Sequence, residues 1–183
     1  IIEECDKYNT DNITVTGGEP LIHLDIQYLL RALSEAGYNV NVETNGSISL
    51  DKYYTNTGEP NIGYENVWFT IDYKCNCSGM TDKMDLNNFN RDYRPYKNVV
   101  YKFVVGSEDD LIQAYTIITN HILHASNTRT DNCYIYLSPV FGKIDPKRIV
   151  EFMQEKNLFD AKIPIRCQLQ IHKIIWDVNQ RGV

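Results

Sequence analysis

The chain has 183 residues, 43% hydrophobic and 23% charged, the balance of a folded domain with a real core and not of a disordered segment. Its net charge of -6 excludes a general basic attraction to nucleic acid or anionic lipid. No run approaches the roughly 20 apolar residues of a membrane helix, and no basic-then-apolar leader opens the sequence.

Taken in chain order, Ile1-Ile2-Glu3-Glu4 reads as the end of a helix already under way. Residues 12–16 (Asn-Ile-Thr-Val-Thr) form a short β-rich run that feeds a glycine pair. Leu24, Ile26, Leu29, Leu30 and Leu33 recur at helical spacing up to about Ala36, and Gly37 supplies a stop. Residues 39–43 alternate as a strand broken by Asn45-Gly46. Ser49 to Glu65 has no helical period and reads as a long loop, followed by a buried-type strand over 66–71. Cys75 to Asn98 is again polar and irregular. Val99 to Val105 is a strand, and Ser107 to Asp110 offers capping for a helix over about 111–123. Cys133 to Leu137 is a strand stopped by Ser138-Pro139, and Asp145-Pro146 opens a helix to about Glu155. Residues 165–171 give the last strand. Six strands and three convincing helices, with no repeat and no linker, predict one α/β domain over 1–183 with a parallel sheet or barrel reduced in helices.

The five cysteines, Cys5, Cys75, Cys77, Cys133 and Cys167, are odd in number and irregularly spaced, so free thiols in a reducing cytoplasm are expected. The sharpest motif is Thr16-Gly17-Gly18-Glu19-Pro20 at the end of the first strand. Paired glycines there let a ligand approach the backbone without side-chain obstruction, and Glu19 adds a carboxylate suited to an ammonium group. Pro20 fixes the turn that follows. A shorter string with one glycine, Thr57-Gly58-Glu59-Pro60, occurs without a preceding strand, so it reads as a turn.

Gly17-Gly18-Glu19-Pro20 resembles the "GGEP" motif of radical S-adenosylmethionine (SAM) enzymes. Residues 43–47 (Glu-Thr-Asn-Gly-Ser) resemble the "ETNGS" signature of the 7-carboxy-7-deazaguanine synthases, and Asp72-Tyr73-Lys74 with Ser78-Gly79-Met80 resembles their "DYK…SSGM" segment. Residues 102–105, 137–142 and 168–173, together with Trp176 and the Arg181-Gly182-Val183 end, are similar to later segments of the same family in the same order.

The resemblance implies an incomplete (β/α)6-type partial barrel with few helices. It implies an enzyme that cleaves SAM reductively to a 5′-deoxyadenosyl radical and converts 6-carboxy-5,6,7,8-tetrahydropterin to 7-carboxy-7-deazaguanine, a precursor of queuosine. Implied SAM contacts are Gly17, Gly18, Glu19, Glu43, Asn45, Asp72, Lys74 and Ser138. Implied substrate contacts are Thr16, His172, Arg181 and the carboxylate of Val183. Each has a plainer alternative: Thr16 as a β-branched strand residue, Asp72 and Lys74 as a solvated pair, Ser138 as a turn starter. His172, flanked by Ile171, Ile174, Ile175 and Trp176, also reads as a core histidine, and His23, His121 and His124 as helix surface or packing residues.

The family also uses a [4Fe–4S] cluster held by a Cys-x3-Cys-x2-Cys loop, a Mg2+ ion, a reductant protein such as flavodoxin or ferredoxin, and a homodimeric assembly. No Cys-x3-Cys-x2-Cys spacing occurs here. The expectation is therefore a core lacking its N-terminal cluster segment, with neither a metal ligand nor a catalytic acid or base assigned. Another radical SAM enzyme, such as a glycyl-radical activase, or a non-catalytic SAM-binding domain, are the alternative readings.

Overall fold

The strands of this chain carry continuous apolar character on one face and polar residues on the other, and that asymmetry sets the architecture. The structure, a computed structural model, describes residues 1–90, 96–124, 132–177 and 180. Six strands form a single sheet: β1 (Asn12–Val15), β2 (Asn39–Thr44), β3 (Val67–Lys74), β4 (Val99–Val105), β5 (Cys133–Pro139) and β6 (Ile165–Cys167). Each pairs with its sequence neighbours in the order β1-β2-β3-β4-β5-β6, and every pairing is parallel. Strands laid down strictly in sequence order build the wall of a barrel rather than a doubly wound sheet, whose order reverses at a switch point. The expected partial barrel is what forms.

The helices are α1 (Ile2–Cys5), α2 (Ile26–Glu35), α3 (Glu108–Ile117), α4 (Pro146–Glu155) and α5 (His172–Ile175). Of these, α2, α3 and α4 pack on the outer face, where Val42, Phe69, Ile71, Phe103, Ile135 and Leu137 are at most 1% exposed. Burial of this surface drives the fold at about 25 cal/mol per Å2 of apolar area. The amphipathic spacing of α2 is confirmed by Leu30 and Leu33, both buried, although the helix starts at Ile26 and leaves Leu24 91% exposed. Ser107 caps α3 by accepting from the Asp110 amide at 3.2 Å, and Asp145 caps α4 by accepting from the Lys147 amide at 2.9 Å. The helical pattern beyond Ile117 becomes a wider π turn over Ile118–Ile122.

Where two crossovers lack helices, aromatic loops take their place. Tyr53, Tyr54 and Tyr64 from the β2–β3 connection are buried, as are Phe89 and Tyr96 from the β3–β4 connection. Tyr54 stacks on Tyr96 with ring centroids 4.4 Å apart, and Tyr53 meets Tyr64 edge-on at 5.3 Å. The Thr57-Gly58-Glu59-Pro60 string lies in this layer as a turn: the Thr55 amide donates to the Glu59 carbonyl, Tyr54 bridges to Pro60, and Gly58 has φ +79.

Two expectations at the carboxyl end need correction. The last strand stops at Cys167, not Ile171, because the chain leaves the sheet after the Gln168 amide bonds to the Leu137 carbonyl. The next residues turn into α5, whose apolar side chains Ile174 and Ile175 are 65% and 62% exposed. His172 is accordingly exposed, not a core histidine. His23 lies in an extended cap position rather than on a helix.

Candidate active site

Strand β1 ends at Val15, and the chain then opens into the glycine turn. Gly17 has φ +146, a conformation L side chains rarely adopt. A Cβ built on either Gly17 or Gly18 meets nothing within 4 Å. The turn is thus open, and its backbone is accessible to a ligand. Thr16, Gly17 and Gly18 line a cavity of about 320 Å³ with Val15, Ile26 and Leu29.

Glu19, 9% exposed, is held in place by three hydrogen bonds. Its Oε1 accepts from the Leu21 amide at 3.1 Å and from the Thr44 hydroxyl at 2.8 Å, and its Oε2 accepts from the Asn45 amide at 2.7 Å. The Thr44 hydroxyl also accepts from the Gly46 amide at 3.3 Å, while Asn45 Oδ1 accepts from the Ser47 amide at 2.9 Å. One carboxylate therefore binds the glycine turn to the end of β2 and presets both. Thr44, 2% exposed, is a site residue that no sequence motif singles out, since its role rests on the contact with Glu19.

Parallel register gathers the remaining groups on the concave face. Glu43 pairs with Thr70, and Asp72 with Lys102, which in turn pairs with Tyr136. Side chains at paired positions share a face. Glu43, Thr70, Lys102 and Tyr136 line a cavity of about 590 Å³ there, with Trp68 and Asn41. Asp72 is not a solvated residue but a shared counter-ion, with Lys74 Nζ 3.2 Å from Oδ2 and Lys102 Nζ 3.5 Å from Oδ1. Lys74 and Asn45 line a further cavity of about 350 Å³ with Ser47, Met80 and Met84.

The structure therefore places Thr16, Gly17, Gly18, Glu19, Asn45, Asp72 and Lys74 near the carboxyl ends of three neighbouring strands and Glu43 on the concave face, but it does not join them in one cavity: the glycine turn opens on the helix side with Val15, Ile26 and Leu29, apart from the cavities of Glu43 and of Asn45 and Lys74. Ser138 is 2% exposed and donates its hydroxyl to the Gln168 carbonyl at 3.1 Å, so it fastens β5 to the segment after β6. His172 stands on α5 and lines none of these three cavities. Arg181 and Val183 lie outside the described residues.

All five cysteines are free thiols. Burial pushes the Cys75 thiol up to about 12, and burial followed by the neighbouring Asp110 carboxylate raises that of Cys77. Desolvation alone would raise the Asp110 carboxyl, but hydrogen bonds from Cys77, Gly106 and Ser107 reverse this and hold it below its usual value. Among the described residues no group of three or more His, Cys, Asp or Glu is placed to hold a metal ion. No helix among them is long and apolar enough to cross a membrane.

No family model matches the chain. It is 42% identical over 184 residues to the 7-carboxy-7-deazaguanine synthase of Clostridium acetobutylicum, a match that takes in the whole of this chain and 74% of that protein. The chain belongs to the 7-carboxy-7-deazaguanine synthase family. The synthase of Chlorobaculum tepidum is 33% identical over 183 residues, again with all of this chain and 74% of that protein. Among solved structures, Streptococcus suis SuiB bound to S-adenosylmethionine superposes with a TM-score of 0.61 over 92% of this chain and 42% of that one. At 13% identity that likeness is one of fold. It agrees with the partial barrel of six parallel strands described above.

Proposed function

We propose that this chain is the SAM- and substrate-positioning core of a 7-carboxy-7-deazaguanine synthase, an enzyme that contracts the ring of 6-carboxy-5,6,7,8-tetrahydropterin with loss of ammonia. The observation that carries the reading is the open glycine turn clasped by Glu19 to the Thr44-Asn45-Gly46 turn. A backbone with no side chain over it suits the amino acid tail of SAM, whose ammonium needs acceptors and whose carboxylate needs donors. Glu19 Oε2 carries one hydrogen bond and retains acceptor capacity for that ammonium. Lys74, over the Asn45 cavity, spends one of its three donors on Asp72 and has others to offer the carboxylate. When bound and reductively cleaved, SAM supplies the radical that removes hydrogen from the substrate. The chain's own work is to orient the two molecules against each other and exclude water.

The family resemblance also brings an iron–sulfur cluster and Mg2+. The described residues do not fit either, since their cysteines do not gather and no other ligand set forms. Neither group enters the chemistry ascribed to these residues. A protein reductant such as flavodoxin or ferredoxin, a homodimer and a cytoplasmic location belong to the same proposal. The test is anaerobic turnover of the complete reading frame's product with the carboxypterin, SAM and a reductant. Formation of 7-carboxy-7-deazaguanine is expected, and its absence from a cluster-loaded preparation would overturn the assignment.

A further inference from the structure

The concave cavity of about 590 Å³ is within the usual range for small-molecule sites, roughly 300–1,000 Å³. Among the described residues lining it, Lys102 is the one cation and Glu43 the one anion. Trp68 and Tyr136 add aromatic surface, and Asn41 and Thr70 are joined by a hydrogen bond of 2.8 Å. Lys102 is largely enclosed, its side chain 20% exposed, and its charge is only loosely matched. Asp72 Oδ1 stands 3.5 Å away and has no hydrogen-bond partner, whereas Lys74 makes a true hydrogen bond to Asp72 Oδ2 at 3.2 Å. Two lysines thus share the Asp72 carboxylate, and Glu43 is the other anion on this face. The loosely held lysine is the one that faces the cavity.

We propose that Lys102 is the anchor for the substrate's carboxylate in this cavity, with Asp72 as its exchangeable internal counter-ion. The inference rests on the substrate class proposed above and adds the residue that selects the acid over its neutral analogue. Lysine offers three donors on a point charge, and an incoming carboxylate at hydrogen-bond distance outcompetes a partner held at 3.5 Å. Lys74 keeps its hydrogen bond to Asp72 when Lys102 turns to the ligand, so exchange leaves the half-buried carboxylate paired. A site built around a charged donor also rejects a ligand lacking the acceptor, since the buried group is then left with its poorer partner.

The probes are 6-carboxypterin and pterin, air-stable analogues that differ by the carboxylate, in equilibrium binding to the full chain followed by pterin fluorescence. The chain should bind 6-carboxypterin about tenfold or more tightly than pterin, a ratio set by one charge-assisted hydrogen bond. Lys102→Met should abolish that preference while leaving pterin binding within about twofold, and Lys102→Arg should retain most of it. Asp72→Asn keeps Lys102 in place and frees it, so it should strengthen 6-carboxypterin binding several-fold without changing pterin binding. A preference that survives in Lys102→Met, or an Asp72→Asn variant with no gain, overturns the anchor. Equal binding of both pterins by the unaltered chain removes the anchor and leaves the substrate class standing. Binding of neither removes both.

Discussion

The Glu19 carboxylate lies at the junction of everything the site needs. Its bond from the Thr44 hydroxyl is buried, so deleting the hydroxyl leaves a charged acceptor short of a donor. Hydrogen bonds to charged groups contribute about 1.5–3 kcal/mol. Thr44→Val should cost that much in urea unfolding and weaken SAM binding, while Thr44→Ser should restore most of both. Gly46 is a second fixed point, with φ +75 and an added Cβ only 2.8 Å from Met84 Cε and 3.0 Å from Ile71 Cγ2. Gly46→Ala should therefore cost about 1–3 kcal/mol through backbone strain. Trimming Met84 as well should recover only the part due to contact. Gly17-Gly18-Glu19 was legible in the sequence because the motif is local, a strand end followed by residues without side chains. The roles of Thr44 and Lys102 were not, because each depends on a partner about 25–30 residues away that only the parallel register supplies.

At the level of elements, the strands were readable because a parallel strand buried on its outer face appears as an apolar run. The crossover loops were not, since their tyrosines pack through contacts between segments 43 and 45 residues apart, such as Tyr54 with Lys97 and Tyr96 with Asp51. Tyr53 provides a test of how these loops replace helices. Its ring is fully buried, and its hydroxyl has no hydrogen-bond partner among the described residues. Tyr53→Phe should leave stability unchanged or raise it by up to about 1 kcal/mol, since a desolvated hydroxyl disappears. Tyr53→Ala should cost about 3–5 kcal/mol through the cavity it leaves. The loop after β3 is stapled separately: Asp110, 1% exposed, accepts from the Cys77 amide at 3.1 Å and the Gly106 amide at 2.9 Å. That staple holds the segment following Lys74 against the segment following β4.

For the molecule as a whole, the buried acids set its response to pH. The Cys75 thiol is raised from 9.0 to about 12 by burial, and burial likewise raises the hydroxyls of Tyr53 and Tyr54. A raised acid is neutral in both states below its unfolded value. Above pH 9 the unfolded chain ionises first, so stability should be full below about pH 9 and fall as pH rises toward 12. Urea unfolding across that range checks the slope. A flat profile would mean that Cys75 and the tyrosines are not enclosed as described. In thiol alkylation at neutral pH, Cys75 should stay unlabelled until denaturant is added, and Cys77 should react more slowly than a free cysteine because its raised thiol is less ionised.

SAM binding at this site requires approach to the backbone of an uncovered turn, and Gly18 tests this most directly. Its φ is not positive and an added Cβ meets nothing within 4 Å, so Gly18→Val places bulk in the approach without straining the fold. Equilibrium dialysis of SAM against the chain and this variant is the decisive measurement. One saturable site is expected on the unaltered chain and at least a tenfold loss of affinity in Gly18→Val, with melting temperatures within a few degrees of each other. Undiminished SAM binding by a folded Gly18→Val chain, or no saturable binding by the unaltered one, would contradict it.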